Sequence, residues 1–265
     1  MKTAEQKNIK DSSGKQAVST MVLLLLLAVV SITAATAAWF SIASNTRLSS
    51  MGVNLTSGIS LRFDLDEHAE FEDYVKSLSF EDIADRILRD TGTDIREASF
   101  EPVTTSDYEF YSFENGEAAD PVSGVYIEFV LHFMGQKDMY LHLTPAAGKE
   151  GEQGTLLSSE DPGLVSAMRI SFTAGDETVV YVPDMGDSSY YENGVKLMGL
   201  SNDEDDALND NNTLFFIEEG RDLPVTVRIW LEGTDEDCVN ERIGSEYELS
   251  MRFEGTDENN VPIVQ

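Results

Sequence analysis

Alternating apolar and polar segments, one long uncharged apolar stretch and one well-capped helix predict an all-β chain with minor α content. The expected architecture is an N-terminal transmembrane or signal helix followed by an antiparallel, jelly-roll-like β-sandwich with one or two short helices. The 265 residues carry 18 Lys and Arg against 49 Asp and Glu, a formal net charge of −31. That surface excludes a general nucleic-acid binder, which needs clustered cations to displace phosphate counterions. A single cysteine, Cys238, excludes an intramolecular disulfide. Three histidines, His68, His132 and His142, leave little material for a histidine-rich metal centre.

The charge is unevenly placed. Residues 1–20 carry +2 through Lys2, Lys7, Lys10 and Lys15, and the remainder carries −33. No charge occurs from Gln16 to Thr46, and the apolar core of that stretch, Met21–Phe40, is long enough to cross a bilayer as a helix. The lysines favour the cytoplasmic side, and Trp39 and Phe40 suit the outer interface. This predicts a basic cytoplasmic segment over 1–20, a transmembrane or signal helix over 21–43 and an extracellular acidic domain over 44–265. Ala35-Thr36-Ala37 matches a signal-peptidase site, so the helix is either a retained anchor or a cleaved signal that releases a chain starting at Ala38.

Ala37-Ala38-Trp39-Phe40-Ser41, followed by Asn45-Thr46-Arg47, resembles the export region of camelysin-like, biofilm-matrix-fibre-like proteins of Gram-positive bacteria. The resemblance implies a first strand after that turn, a β-sandwich and assembly into extracellular fibres. Trp39 departs from it, standing where the camelysin-type cleavage site has a small residue. Val227–Cys238 is similar to a segment recurring in uncharacterised exported proteins of the same bacteria. The peptidase activity ascribed to some camelysin-like proteins has no counterpart in the residues. Glu67-His68-Ala69-Glu70 lacks the second histidine that a zinc site on one helix face requires.

Taken in order, the strands begin with Ile59–Leu65, whose Ile59, Leu61, Phe63 and Leu65 share one face. Glu67–Lys76 is expected to form a short helix. Ser79-Phe80-Glu81-Asp82 opens a firmer one, with Ser79 as N-cap and Asp82 at N3. Phe80, Ile83, Ile87 and Leu88 line one side of it, and Gly92 follows the last turn. Further strands are expected at Val125–Phe133, Met139–Leu143, Val165–Thr173, Thr178–Val182, Val225–Glu232 and Tyr247–Glu254, with surface loops at Phe113–Gly124 and Gly148–Gly163.

Four features invite a functional reading. If Gly135 pairs with Met139 across a hairpin, His132 faces His142, a geometry for a two-histidine metal site or a pH-sensitive pair. Asp203, Asp205, Asp206 and Asp210 lie in an oxygen-rich loop that suits a weak Ca²⁺ site, although the loop fails the EF-hand template for want of glycine at its sixth position. Trp230 breaks the alternation of Val225, Val227, Ile229 and Leu231, and so faces away from them. Tyr190-Tyr191 and Tyr108–Phe113 place aromatics that can stack on sugars or close a core edge. Cys238 stands among carboxylates that disfavour a thiolate. No nucleophile elbow, phosphate loop or paired-histidine motif is present.

These observations lead to a non-enzymatic cell-surface or extracellular structural or adhesive protein, which forms a homo-oligomer or fibre through strand edges. Two alternatives stand beside it. One is a type IV pilin-like filament subunit, in which Gly14 ends a leader and Lys15 is the first mature residue. The other is a surface module that binds carbohydrate or Ca²⁺.

Overall fold

The computed structural model of the chain describes residues 46–55, 60–145, 154–201, 208–239 and 245–263, together with Met21, Val22 and Leu24 in a helix. The remainder of the expected membrane segment lies outside the described residues. Among the described residues, no helix is long and apolar enough to cross a membrane.

Two stretches far apart in the chain meet in the first sheet. Strand β1 (Arg47–Leu55) runs parallel to the C-terminal strand β16 (Glu246–Thr256), Val53 opposite Met251. The other side of β16 is shared end to end by two short strands, β9 (Leu156–Ser159) and β8 (Met139–Leu143). Strand β3 (Ser77–Ser79) flanks β1, and β14 (Thr213–Ile217) closes the far edge on β8. These six strands form one sheet.

The second sheet has seven strands. Its order is β12 (Ser189–Glu192), β13 (Val195–Met198), β11 (Glu177–Tyr181), β10 (Met168–Ala174), β15 (Asp222–Leu231), β7 (Ile127–Gly135) and β2 (Leu61–Asp64). Alternation works here as expected: Val225, Val227, Ile229 and Leu231 are all buried on one face. The two sheets meet through a cluster of rings. Phe253 of the first sheet packs edge-on against Phe63, Phe133 and Phe172 of the second, at 6.4, 5.1 and 5.9 Å. The result is a β-sandwich of mixed sheets, because β1·β16 and β11·β13 are parallel while the other strand pairs are antiparallel. The expectation of a purely antiparallel sandwich is corrected at those two pairs. Both parallel partners are separated by chain long enough to cross over.

A second, smaller core lies on the outer face of the seven-stranded sheet. Trp230 points there, fully buried, with Val180, Leu197 and Tyr126. The segment 103–119 packs onto that face and contains a three-stranded sheet, β4 (Thr104–Thr105), β5 (Tyr111–Ser112) and β6 (Ala118–Ala119). Tyr111 from this segment stacks on Tyr126 at 4.6 Å and meets Trp230 edge-on at 5.2 Å.

Helix α1 (Phe80–Thr91) has the expected capping box, with Ser79 Oγ accepting from the Asp82 N–H and the Asp82 carboxylate accepting from the Ser79 N–H. Gly92 follows in the left-handed conformation. The segment Glu67–Lys76 holds a single 3-10 turn, Phe71–Asp73, instead of a helix. The chain before β10 is also corrected. Pro162–Ala167 forms a short helix α2, because Asp161 caps it and proline occupies its first turn.

Candidate functional site

The expected histidine pair is not formed. Strand β7 belongs to the seven-stranded sheet and β8 to the six-stranded one, so the chain crosses between sheets at Gly135–Met139 instead of folding back in a hairpin. Gly135 pairs with Leu61, and Met139 pairs with Ile217. The two histidines therefore serve different neighbourhoods.

His132 Nδ1 lies 2.8 Å from Asp222 Oδ2, and Tyr74 Oη donates to the other oxygen of the same carboxylate at 2.8 Å. His68 Nε2 lies 3.4 Å from Asp64 on the adjacent strand. His142 is fully buried. Its Nδ1 contacts Asn212 Oδ1 at 2.8 Å, and its Nε2 contacts Thr256 Oγ1 at 2.9 Å. Burial, the largest influence, pushes the imidazole's pKa below its ordinary value.

Of the four expected calcium ligands, Asp203, Asp205 and Asp206 lie outside the described residues. Asp210 is exposed, and its Oδ1 accepts from Asn260 Nδ2 at 3.0 Å. Among the described residues, no group of three or more metal-ligating side chains comes together. The asparagines of the same loop tie it down. Asn209 Nδ2 reaches the Asp187 carboxylate, Asn211 Oδ1 accepts from Ser189 Oγ, and Asn212 holds His142.

These anchors place Asp210 on the wall of an open cleft of about 490 Å³. The cleft gathers residues from five separate places. Asp176 and Glu177 come from the β10–β11 turn, and Tyr191 and Lys196 come from the β12–β13 hairpin. Tyr140 comes from β8, Asp210 from the loop before β14 and Thr213 from the start of β14, and Glu258 and Asn260 from the C-terminal turn. Tyr191 stands directly opposite Lys196 because Asn193 and Gly194 make a two-residue turn with both φ angles positive, 51° and 87°.

Lys196 is the cleft's cation, and it is already engaged. Its Nζ donates to the backbone carbonyls of Asp210 and Thr213, each at 2.7 Å. Burial lowers its pKa, with Asp210 opposing. The carboxylates of Asp176, Glu177, Asp210 and Glu258 therefore outnumber a single, largely buried lysine. The hairpin turn at Asn193-Gly194 was readable from sequence as an Asn-Gly pair, but the meeting of Lys196 with Thr213 joins two sheets and left no local signal.

The segment Val227–Cys238 has a structural account. Trp230 Nε1 donates to Glu232 at 3.0 Å, and Arg169 pairs with Asp235. The Cys238 N–H closes a turn on the Asp235 carbonyl at 3.0 Å. Burial first, then Asp235 and Glu232, pushes the Cys238 thiol up to about 12. That leaves it a packed apolar group and not a nucleophile.

Comparison with protein-family models, with curated proteins and with solved structures finds no match to this chain.

Proposed function

We propose that the protein is a non-enzymatic structural or adhesive component of the cell surface, which associates with further copies of itself through an open strand edge. The observation that carries this reading is β12. It ends the seven-stranded sheet and, among the described residues, pairs only with β13. Opposite Val195, Glu192 closes the hairpin, so the N–H and C=O groups of Tyr191 and Ser189 point outward. Natural edges are usually blunted by lysine or proline. This one carries Tyr190 and Tyr191, 52% and 73% exposed.

Strand addition at such an edge makes main-chain hydrogen bonds with little demand on side chains. The export segment at the N-terminus and the absence of catalytic motifs in the sequence support a surface role without chemistry. The acidic charge opposes association, so assembly depends on its neutralisation.

Sedimentation of the full-length protein in mild detergent tests this. Larger species are expected to grow as salt, calcium or acid is added. Ser189→Pro removes one outward N–H at the first residue of the strand, where proline is tolerated, and is expected to hold the protein monomeric. A wild-type protein that stays monomeric under every condition would sink the reading.

A further inference from the structure

The cleft beside β12 has a chemistry that self-association does not use. We propose that it is a saccharide site, selective for sugars that carry a protonated amine.

The charge balance sets the first limit. Asp176, Glu177, Asp210 and Glu258 line the opening, and the Lys196 ammonium is turned to the carbonyls of Asp210 and Thr213. An anionic ligand would meet four carboxylates against one ammonium that already gives two of its three hydrogens to carbonyls, whereas a cationic one supplies the missing countercharge. Asp176, Glu177 and Glu258 are exposed, and Asp210 commits only Oδ1, to Asn260. Carboxylate oxygens therefore remain to accept from hydroxyl and ammonium groups.

The aromatic groups set the second limit. Five aromatic side chains are exposed among the described residues: Phe110, Tyr140, Tyr190, Tyr191 and Phe216, with Tyr140 the least so at 37%. Two of these, Tyr140 and Tyr191, line the cleft, and Phe216 packs edge-on against Tyr140 at 5.2 Å. A flat ring presents a face to the C–H surface of a sugar and to a nearby ammonium, and holds its position with few torsions to freeze. A bare polyamine would use the charge but bring the rings only its ammonium groups, with no C–H face to stack on them. A neutral sugar would use the rings and leave the carboxylates uncompensated. An amino sugar uses both.

The volume falls within the range of ordinary small-ligand sites. The cleft lies within one copy and shares Tyr191 with the β12 edge, so the site is tested on the monomer, where its failure is distinct from a failure of self-association.

The test is calorimetric titration of the full-length protein in detergent, kept dilute enough to be monomeric and at physiological ionic strength. The probes are a β-1,4-linked glucosamine trisaccharide, its fully N-acetylated form and trilysine. Saturable binding of the glucosamine trisaccharide is expected, with the N-acetylated form weaker by about tenfold or more. Trilysine is expected to give no saturable heat. Tyr191→Ala and Glu258→Gln change exposed side chains, leave the melting temperature unmoved and are each expected to weaken binding about fivefold or more. Equal binding of the N-acetylated sugar would overturn the role of the amine. Saturable binding of trilysine would make this a site for basic peptide and overturn the sugar. Binding that survives both substitutions would place it elsewhere on the acidic surface and overturn the cleft.

Discussion

Burial lowers the pKa of His142. The hydrogen bond to Asn212 opposes it, Lys196 adds to the lowering by disfavouring a second positive charge, and Asp210 opposes it more weakly. The pKa is thus lowered in the folded chain, so the unfolded chain takes up the proton more readily. Stability is full above the unfolded value, about 6.5, and is lost as pH falls from there toward the folded value. The melting temperature is expected to drop by several degrees between about pH 7.5 and about pH 5.5, and His142→Gln is expected to drop less. His68 and His132 keep their partners Asp64 and Asp222 in both proteins, so the difference between the two reports on position 142. Identical pH slopes in thermal melts of the two proteins would show that His142 is not the titrating group.

At the scale of elements, what was legible followed from local chemistry. The α1 cap was readable because Ser79, Asp82 and Gly92 act within one turn of themselves, and the structure places all three as the spacing required. Alternation found the long inner strands, since a half-buried strand writes its pattern every second residue. Strands β9, β12, β13 and β14 do not alternate cleanly between buried and exposed residues, so they lack the period-two signal that marks the equally short β2. The β7–β8 connection misled for a different reason. A short polar break between two alternating runs is the usual mark of a hairpin, and only the partners Leu61 and Ile217, distant in sequence, pull the two runs into separate sheets. The cleft was half legible: Tyr191 and Asp210 stood out as residue types, but their meeting depends on Lys196 and the asparagine ties. For α1 itself, Ser79→Ala removes the N-cap acceptor and is expected to cost about 1 kcal/mol in urea unfolding. Ile83, Ala84 and Ile87 anchor the helix against the core, so the loss is of a cap and not of the element. No loss of stability would mean that Asp82 alone holds the first turn.

For the molecule as a whole, the net charge of −31 sets two forces of opposite sign against salt. Ion pairs such as Arg96 with Glu81 and Asp85, or Arg228 with Glu128, weaken as ions screen them. Repulsion among the excess carboxylates weakens as well, and that relief stabilises. The numbers decide which wins. With 18 basic residues against 49 acidic, most carboxylates have no cation to pair with, and several of the pairs are exposed contacts worth little each. Screening acts over about 30 Å at 0.01 M salt and about 10 Å at 0.1 M, so low salt exposes repulsion across the whole domain while leaving the short ion pairs nearly intact. The melting temperature of the monomer is therefore expected to rise with sodium chloride, most steeply below about 0.1 M, and then flatten once screening is shorter than the spacing of surface charges. Calorimetry across that range, at a protein concentration too low for assembly, measures it. A fall with added salt would mean that the ion pairs outweigh the excess negative charge, and the same outcome would remove the electrostatic reason for assembly to await salt, calcium or acid.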